Sequence, residues 1–598
     1  MVERKGDVVI ALFLLLSALI MKINWGILCL LDLFFYFHKK NDMKKIYFLL
    51  MSLFPFFVNA QFTNDSTNNV VIQDAIGSEQ ATPLISARAD GGAYISWFDQ
   101  SSGMYVLRMQ RLDAIGNKLW GTNGVVVSNA PQTTALFRYD LKTDNEGNAI
   151  VAFQDQRTGN MQVVAQKMDS TGAPVWATNG VVLSDADAAE GLAPVIGVLS
   201  NNNVVVAWNA YSSTNQKWVC YIELNPATGV SINGAGPARV KPATGTTPNY
   251  SRPSIASYAN NEYYLMYVQE TGNFPGVSKM FVKRLATNYV NLWPASIQFT
   301  TKTISTFFFP KIISDGATGF LCAFNAGNPT NAALTSVYLQ HVDSTGASWS
   351  SNGTALTSSL SINSYLGDYF YNSTTNQTWI GLQVTNTGQS ASGNSIQRVN
   401  NAGLNLCGTD GIVVDVQTSN ITTPVGIAQD DNNAILVYYT GGFNQVAIKA
   451  TLIDSMGIKQ WPFLQKSLNV TASNKDDIGI SRVSNHQLIV TWSDTRNDNG
   501  IYAQNINNDG TLGPMAVGLN SIINNTNIQL IQNPSSILQL LSNNSIEEIE
   551  IYSAIGQLVY SKYGMDNTEL SLSLTNNFNS GIYIIRINRT AMLKWMKQ

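Results

Sequence analysis

LKTDNEGNAIVAFQDQRTGNMQVVAQKMDSTGAPVWATNGVVLSDA, residues 141–186, is the unit from which most of this chain is built. Four short apolar runs, alternating or β-branched, are separated by Asn145-Glu146-Gly147-Asn148, Arg157-Thr158-Gly159-Asn160 and Asp169-Ser170-Thr171-Gly172. Gly, Asn and Asp accept the backbone angles of tight turns, so the stretch predicts four antiparallel strands joined by hairpins. One copy is one small sheet.

The centre of the second strand returns as Trp97-Phe98, Ala152-Phe153, Ala207-Trp208, Met266-Tyr267, Ala323-Phe324, Gly381-Leu382, Val437-Tyr438 and Thr491-Trp492, spaced 54 to 59 residues apart. A period of about 56 residues with four strands per copy predicts an all-β fold, an eight-bladed β-propeller over 67–513. A solenoid is the alternative. The last copy lacks its fourth strand, whereas Asn69-Val70-Val71-Ile72 stands at the other end without a blade. The N-terminal strand is therefore expected to complete the last blade and close the ring, leaving no open edge.

Two turn signatures recur. Asp90-Gly91-Gly92, Asp144-Asn145-Glu146-Gly147, Asp315-Gly316 and Asp430-Asp431-Asn432-Asn433 join strands one and two. Between strands three and four stands D-x-x-G-x-x-x-W, at Asp113-Gly116-Trp120, Asp169-Gly172-Trp176 and Asp454-Gly457-Trp461, with a shorter form at Asp343-Gly346-Trp349. The carboxylate is expected to cap the turn and the Trp to wedge between blades. This signature resembles the Asp-box of sialidase-like propellers, with one extra residue between Asp and Gly. In that family the motif is structural, so the resemblance implies fold and not sialidase chemistry.

Composition narrows the function. Hydrophobic residues make up 45% of the 598 and charged ones 13%. The net charge is −3, and without residues 1–60, which hold 7 basic and 4 acidic residues, 29 basic stand against 35 acidic, or −6. A nucleic-acid partner is not expected. Cys29, Cys220, Cys322 and Cys407 show neither a disulfide framework nor zinc spacing, and His341 and His486 have no second ligand nearby in sequence, so no metal and no cofactor is expected. There is no G-x-S-x-G, H-E-x-x-H, Walker loop or G-x-G-x-x-G before a helix.

Asp99, Asp155 and Asp494 follow strand two at equivalent places, the last two in D-x-R with Arg157 and Arg496. They are the candidate binding residues, on the face where loops cross between blades. Two carboxylates at suitable separation could cleave a glycosidic bond, but repetition in several copies argues for structural Asp–Arg pairs or Asx-turns. Tyr211 and Phe274, in the same loops, offer stacking on sugars or cover for blade edges. The insertion from Asn386 to Asn394 is the longest departure from the repeat and carries no carboxylate or histidine.

The two ends describe a destination. Residues 1–60 are apolar, and 43–60 read as a signal peptide: Lys44 and Lys45, an apolar run from Ile46 to Phe57, then Val58-Asn59-Ala60 with cleavage before Gln61. Residues 8–37 read either as a membrane anchor or as sequence upstream of a start at Met43, the second being favoured. After a polar linker, 514–527, residues 528–598 alternate with period two and predict a small β-sandwich with turns at Gly556 and Gly581. Asn533-Pro534, the run from Ile549 through Tyr552 and Gly556 to Val559, Ser580-Gly581-Ile582-Tyr583, and Lys594 with Lys597 resemble the C-terminal sorting domain of type IX (Por) secretion substrates of Bacteroidetes. The first motif keeps only NP of that family's YPNP. The resemblance implies export through the inner membrane by the signal peptide, then passage across the outer membrane by the type IX machinery, directed by this domain, with release or surface attachment, and contact with a membrane only then. The expected function is a secreted or cell-surface non-enzymatic binding or adhesion protein, perched on a repeat array of similar loops that suits many weak contacts. A secreted carbohydrate-active hydrolase on a propeller is the alternative.

Overall fold

The computed structural model describes residues 61–514, 528–530 and 538–597, except 137, 184, 243–247, 274–275, 554–556, 573–580 and 589–590. The signal peptide, Ala60, the anchor question, most of the 514–527 linker, Phe274, Asn533, Pro534 and Gly556 lie outside the described residues.

The turn-formers fall where the chain reverses, and the strands between them pair antiparallel. In the second copy, Asp140–Thr143, Ala149–Asp155, Gln162–Met168 and Val181–Val182 form one sheet in chain order. Before the C-terminal segment there are eight such sheets among the described residues, numbered here 1 to 8 in chain order. Sheet 4 gains a fifth strand, Ile297–Gln298. The protein is all-β, with 3-10 turns only at Ala259–Asn261 and Thr287–Tyr289 among the described residues. No helix among them is long and apolar enough to cross a membrane.

Second strands such as Ala93–Asp99 and Ala149–Asp155 are buried along their whole length, with no alternation. That follows from position: each lies between two strands of its own sheet and two neighbouring sheets, so both faces are covered. The cores are accordingly shared between successive sheets. Tyr94 and Phe98 of sheet 1 pack with Val151 and Phe153 of sheet 2, and Ala152 and Val163 of sheet 2 pack with Val206 and Trp208 of sheet 3.

The last sheet returns to the first. Val70–Gln73 pairs with Gly500–Asn507, Val70 opposite Ala503, and supplies the fourth strand of sheet 8. Val70 and Ile72 then share a buried cluster with Trp97 of sheet 1 and Ile489 of sheet 8.

The D-x-x-G-x-x-x-W turns join neighbouring sheets. Asp169 Oδ1 accepts the backbone N–H of Thr171 and of Ala173, and Asp113, Asp343 and Asp454 cap their turns in the same way. Each Trp reaches the following copy's turn: Trp120 Nε1 donates to Ser170 O (3.1 Å), Trp176 to Pro226 O (3.1 Å), Trp349 to Asn401 O (3.0 Å) and Trp461 to Asn508 O (2.8 Å). The receiving turn must be bare there. Gly172 has φ 90°, and a Cβ on it would stand 3.0 Å from the Trp120 ring. Trp293 does the same from sheet 4, donating to Ser344 O (3.0 Å), although its copy has no Asp-Gly signature.

Cys220, Cys322 and Cys407 are free. Cys220 is more than an apolar filler, because its thiol donates to Asp185 Oδ2 at 3.1 Å.

The C-terminal strands hydrogen-bond as one five-stranded antiparallel sheet in which Leu538–Ser553 is central. Its first half pairs with Ile528–Leu530 and its second half with Gly581–Ile587, while Leu558–Leu572 runs along its other edge. Leu540, Ile551, Ile585 and Trp595 share one buried cluster. Gly581 is the first residue of its strand.

Candidate functional site

A carboxylate at the end of a second strand is withdrawn from water by the neighbouring sheets, so it needs a partner of opposite charge. Asp99, fully buried, accepts Arg108 Nε (2.7 Å), the Ser101 hydroxyl (2.6 Å) and the Gln80 amide (3.2 Å). Asp155 is forked by Arg157, whose Nε lies 2.9 Å from Oδ1 and Nη2 2.6 Å from Oδ2, and the same Nη2 donates to Asn179 O (2.7 Å). Asp494 accepts Arg496 Nη2 (2.6 Å), the Ser473 hydroxyl (2.6 Å) and Trp492 Nε1 (2.9 Å), with Lys475 Nζ at 3.8 Å. Burial acts to raise the Asp494 carboxyl, but Arg496, Ser473 and Trp492 together hold it below the ordinary range.

The sequence therefore located both D-x-R pairs, and it missed that Asp99 takes its arginine from the third strand. Two further sheets solve the same problem with residues that no motif marked. Asp185 accepts Trp218 Nε1 (2.8 Å) and the Arg239 guanidinium in sheet 3. Glu270 accepts Arg252 Nη2 (3.0 Å) and lies 3.3 Å from Lys217 in sheet 4. Each of these acidic groups is already engaged by a cationic side chain and by further donors. They stiffen the loops that carry them.

Between sheets the chain leads into the next first strand, and two of these segments meet. The Arg138 guanidinium, before sheet 2, lies 4.0 Å from the ring centroid of Phe309, before sheet 5. Burial pulls Arg138 below its usual pKa. Leu136 and Phe307 beside them are largely exposed. In the first strand of sheet 8, Asp477 sits in a bulge at φ 49°, matched by Thr82 (50°), Ala193 (52°) and Arg252 (55°) in other first strands. Crowding by protein, and then the Asp476 charge, raise the Asp477 carboxyl, offset in part by the Thr82 backbone. Its sequence signal was available: Thr82, Ala193 and Arg252 are each followed by Pro, whereas Asp477 is followed by Ile and preceded by another Asp.

The stretch from Asn386 to Asn394, expected as the longest departure from the repeat, is an ordinary hairpin: strand two ends at Asn386 and strand three begins at Ser392, so Asn394 is already paired in the sheet. A cavity of about 310 Å³ opens beside the second strand of sheet 6, lined by Tyr365, Gln383 and Thr385 from the sheet, Gln389 and Ser390 from this hairpin, and Ile421 from the start of sheet 7. One side chain braces the hairpin: Asn386 Oδ1 accepts the backbone N–H of Ser390 (2.8 Å) and of Ala391 (3.2 Å), and its Nδ2 donates to Ser390 Oγ (2.9 Å). The far wall is fixed by Gln383 Nε2, which donates to Thr422 O (3.0 Å) and Thr423 Oγ1 (2.8 Å), and by Ser392 Oγ, which accepts from Thr422 N (2.7 Å). Thr385 is 5% exposed, and its Oγ1 has no partner among the described residues.

Of the other candidates, Tyr211 is half-buried against Lys217, and His341 Nε2 meets Asp315 Oδ2 at 2.8 Å, a pair separated by 26 residues in sequence. No group of three or more metal-ligating side chains occurs among the described residues. In the C-terminal sheet, Tyr552 donates to Glu550 Oε2 (2.8 Å), Tyr583 packs on Trp595 with centroids 5.8 Å apart, Lys594 lies in the last strand and Lys597 is buried.

Residues 532–598 match the secretion system C-terminal sorting domain. No curated protein matches the chain. Among solved structures it is similar to a protein of unknown function from Dyadobacter fermentans DSM 18053, at 10% identity and TM-score 0.35, covering 73% of this chain and 96% of that one. It is also similar to a PL25 ulvan lyase, at 10% identity and TM-score 0.37 over 75% and 97% of the two chains. The Penicillium chrysogenum alpha-L-arabinanase gives 10% identity and TM-score 0.33 over 76% and 99%.

Proposed function

We propose that this chain, which the type IX system carries to the cell surface or the extracellular space, works there as a non-catalytic binding protein in adhesion or glycan capture. The observation that carries the reading is the state of Asp99, Asp155 and Asp494: each is spent on an arginine and on neutral donors. General acid–base chemistry needs a carboxyl able to exchange a proton with substrate.

The architecture fits this reading. The eight sheets are taken as the blades of one eight-bladed propeller over 67–513, closed by Val70–Gln73. The linker is 514–527, and the sorting domain, 528–598, folds its sheet over as a sandwich. The signal peptide, 43–60, is removed between Ala60 and Gln61.

A second reading, a secreted carbohydrate-active hydrolase, is favoured by one arrangement, the adjacent exposed carboxylates Asp476 and Asp477 in the first strand of sheet 8, where the environment shifts Asp477 upward. One experiment separates the two. Exported full chain is incubated with bacterial cells and with a panel of polysaccharides, reading retention and the release of reducing ends. Retention without release is expected. Release that disappears in Asp477→Asn would replace the binding reading with the hydrolase.

A further inference from the structure

Beside the Asn386–Ser392 hairpin of sheet 6 the described residues enclose a concave surface against the start of sheet 7. Its lining is chemically uniform. Gln383, Thr385, Gln389 and Ser390 present amides and hydroxyls, which both donate and accept, and Tyr365 adds an aromatic ring. None of the lining residues carries a formal charge. Its volume lies at the low end of the ~300–1,000 Å³ of small-molecule sites.

We propose that this cavity between sheets 6 and 7 binds a neutral saccharide unit, with Tyr365 packing on a sugar face and Thr385 Oγ1 bonding a ring hydroxyl. A buried hydroxyl without a partner is costly, and a ligand that supplies the partner recovers that cost. An anionic or cationic sugar would lose hydration on entering with no opposite charge to meet it, so a neutral ligand is selected. A sugar has hydroxyls around its edge and C–H groups on its faces, which suits amides on the walls and an aromatic ring on one side. The loop that shapes the cavity is preorganised by Asn386, so little ordering is required on binding.

This inference rests on the binding reading, and the test keeps the two apart. Full-length protein is titrated calorimetrically with neutral hexose oligosaccharides and with uronic-acid oligosaccharides of equal length. Two variants accompany it: Thr385→Val, which keeps shape and removes the hydroxyl, and Ser390→Trp, an exposed loop position that fills the cavity without touching the core. Neutral sugar should bind, uronates at least tenfold more weakly. Thr385→Val should weaken binding about threefold or more, and Ser390→Trp should abolish it. Equal binding of uronates would overturn the proposal, as would neutral binding that survives both substitutions. If the chain adheres to cells or polysaccharides yet binds no neutral oligosaccharide, the cavity assignment falls and the binding reading stands.

Discussion

Asp494→Asn keeps the side-chain shape and removes one charge from a cluster that water hardly reaches. Arg496 is 12% exposed at its side chain and Lys475 not at all. After the substitution both cations face an amide, whose nitrogen is a donor where a carboxylate oxygen accepted. Leaving a buried charge without its partner costs about 3–5 kcal/mol. Asp155→Asn is the internal control, because Arg157 is 21% exposed and keeps its bond to Asn179 O. Solvent then reaches the stranded guanidinium, and the cost should fall to about 1–2 kcal/mol. The assay is urea unfolding of the full chain followed by Trp fluorescence, with hydrogen exchange over 471–507 to locate the opening. The expected order is Asp494→Asn well below Asp155→Asn, with cell binding unchanged in both while folded. A loss below about 1 kcal/mol for Asp494→Asn, or equal losses for the two, would refute the claim that these carboxylates are buried structural anchors.

Lys475 makes stability depend on pH. Burial is the main cause of its depression to about 8 from 10.5, with Arg496 adding to it and Asp494 opposing it. Between those values the unfolded chain binds more protons than the folded one, so stability should rise as pH increases from 8 toward 10.5, by up to about 3 kcal/mol. Lys475→Met should flatten that rise, measured by unfolding midpoints at pH 7 to 10; an unchanged slope would place the effect elsewhere. Trp176→Ala removes a ring that is 5% exposed and its bond to Pro226 O. A loss of about 3–5 kcal/mol is expected, with faster hydrogen exchange in sheets 2 and 3 first, and uniform exchange across all sheets would contradict the Trp's role as a link between neighbours.

Much of this could be read from residues alone, because repetition turns weak local signals into one strong one. A single Asp-Asn-Glu-Gly is an ordinary turn, but eight strand centres at near-constant spacing leave few architectures. The D-x-x-G-x-x-x-W turns were legible for the same reason, since cap, glycine and Trp are all local in sequence. Trp293 escaped because it fills the same place without the Asp and Gly that marked the others. The C-terminal motifs were readable as far as Tyr552, Gly581 and Tyr583, whose alternation is a property of a single strand.

What the chain alone determined was therefore whatever is encoded within one copy: strand period, turn chemistry, the D-x-R pairs of Asp155 and Asp494, and the orphan strand Asn69–Ile72. Tertiary structure decided the relations between strands, within a copy as well as between copies. Asp99 draws Arg108 from the opposite strand, Asp315 meets His341 across 26 residues, and Arg138 reaches Phe309 across three intervening sheets. The stretch from Asn386 to Asn394 reads in sequence as a polar insertion, whereas it folds as an ordinary hairpin, and only the seam with Thr422 and Ile421 makes it the wall of a cavity. The physical reason is one of range. Backbone preference and hydrophobic period act over a few residues and are written in order along the chain. A site is made by surfaces that fold into contact, and their pairing depends on register and packing that no local window contains.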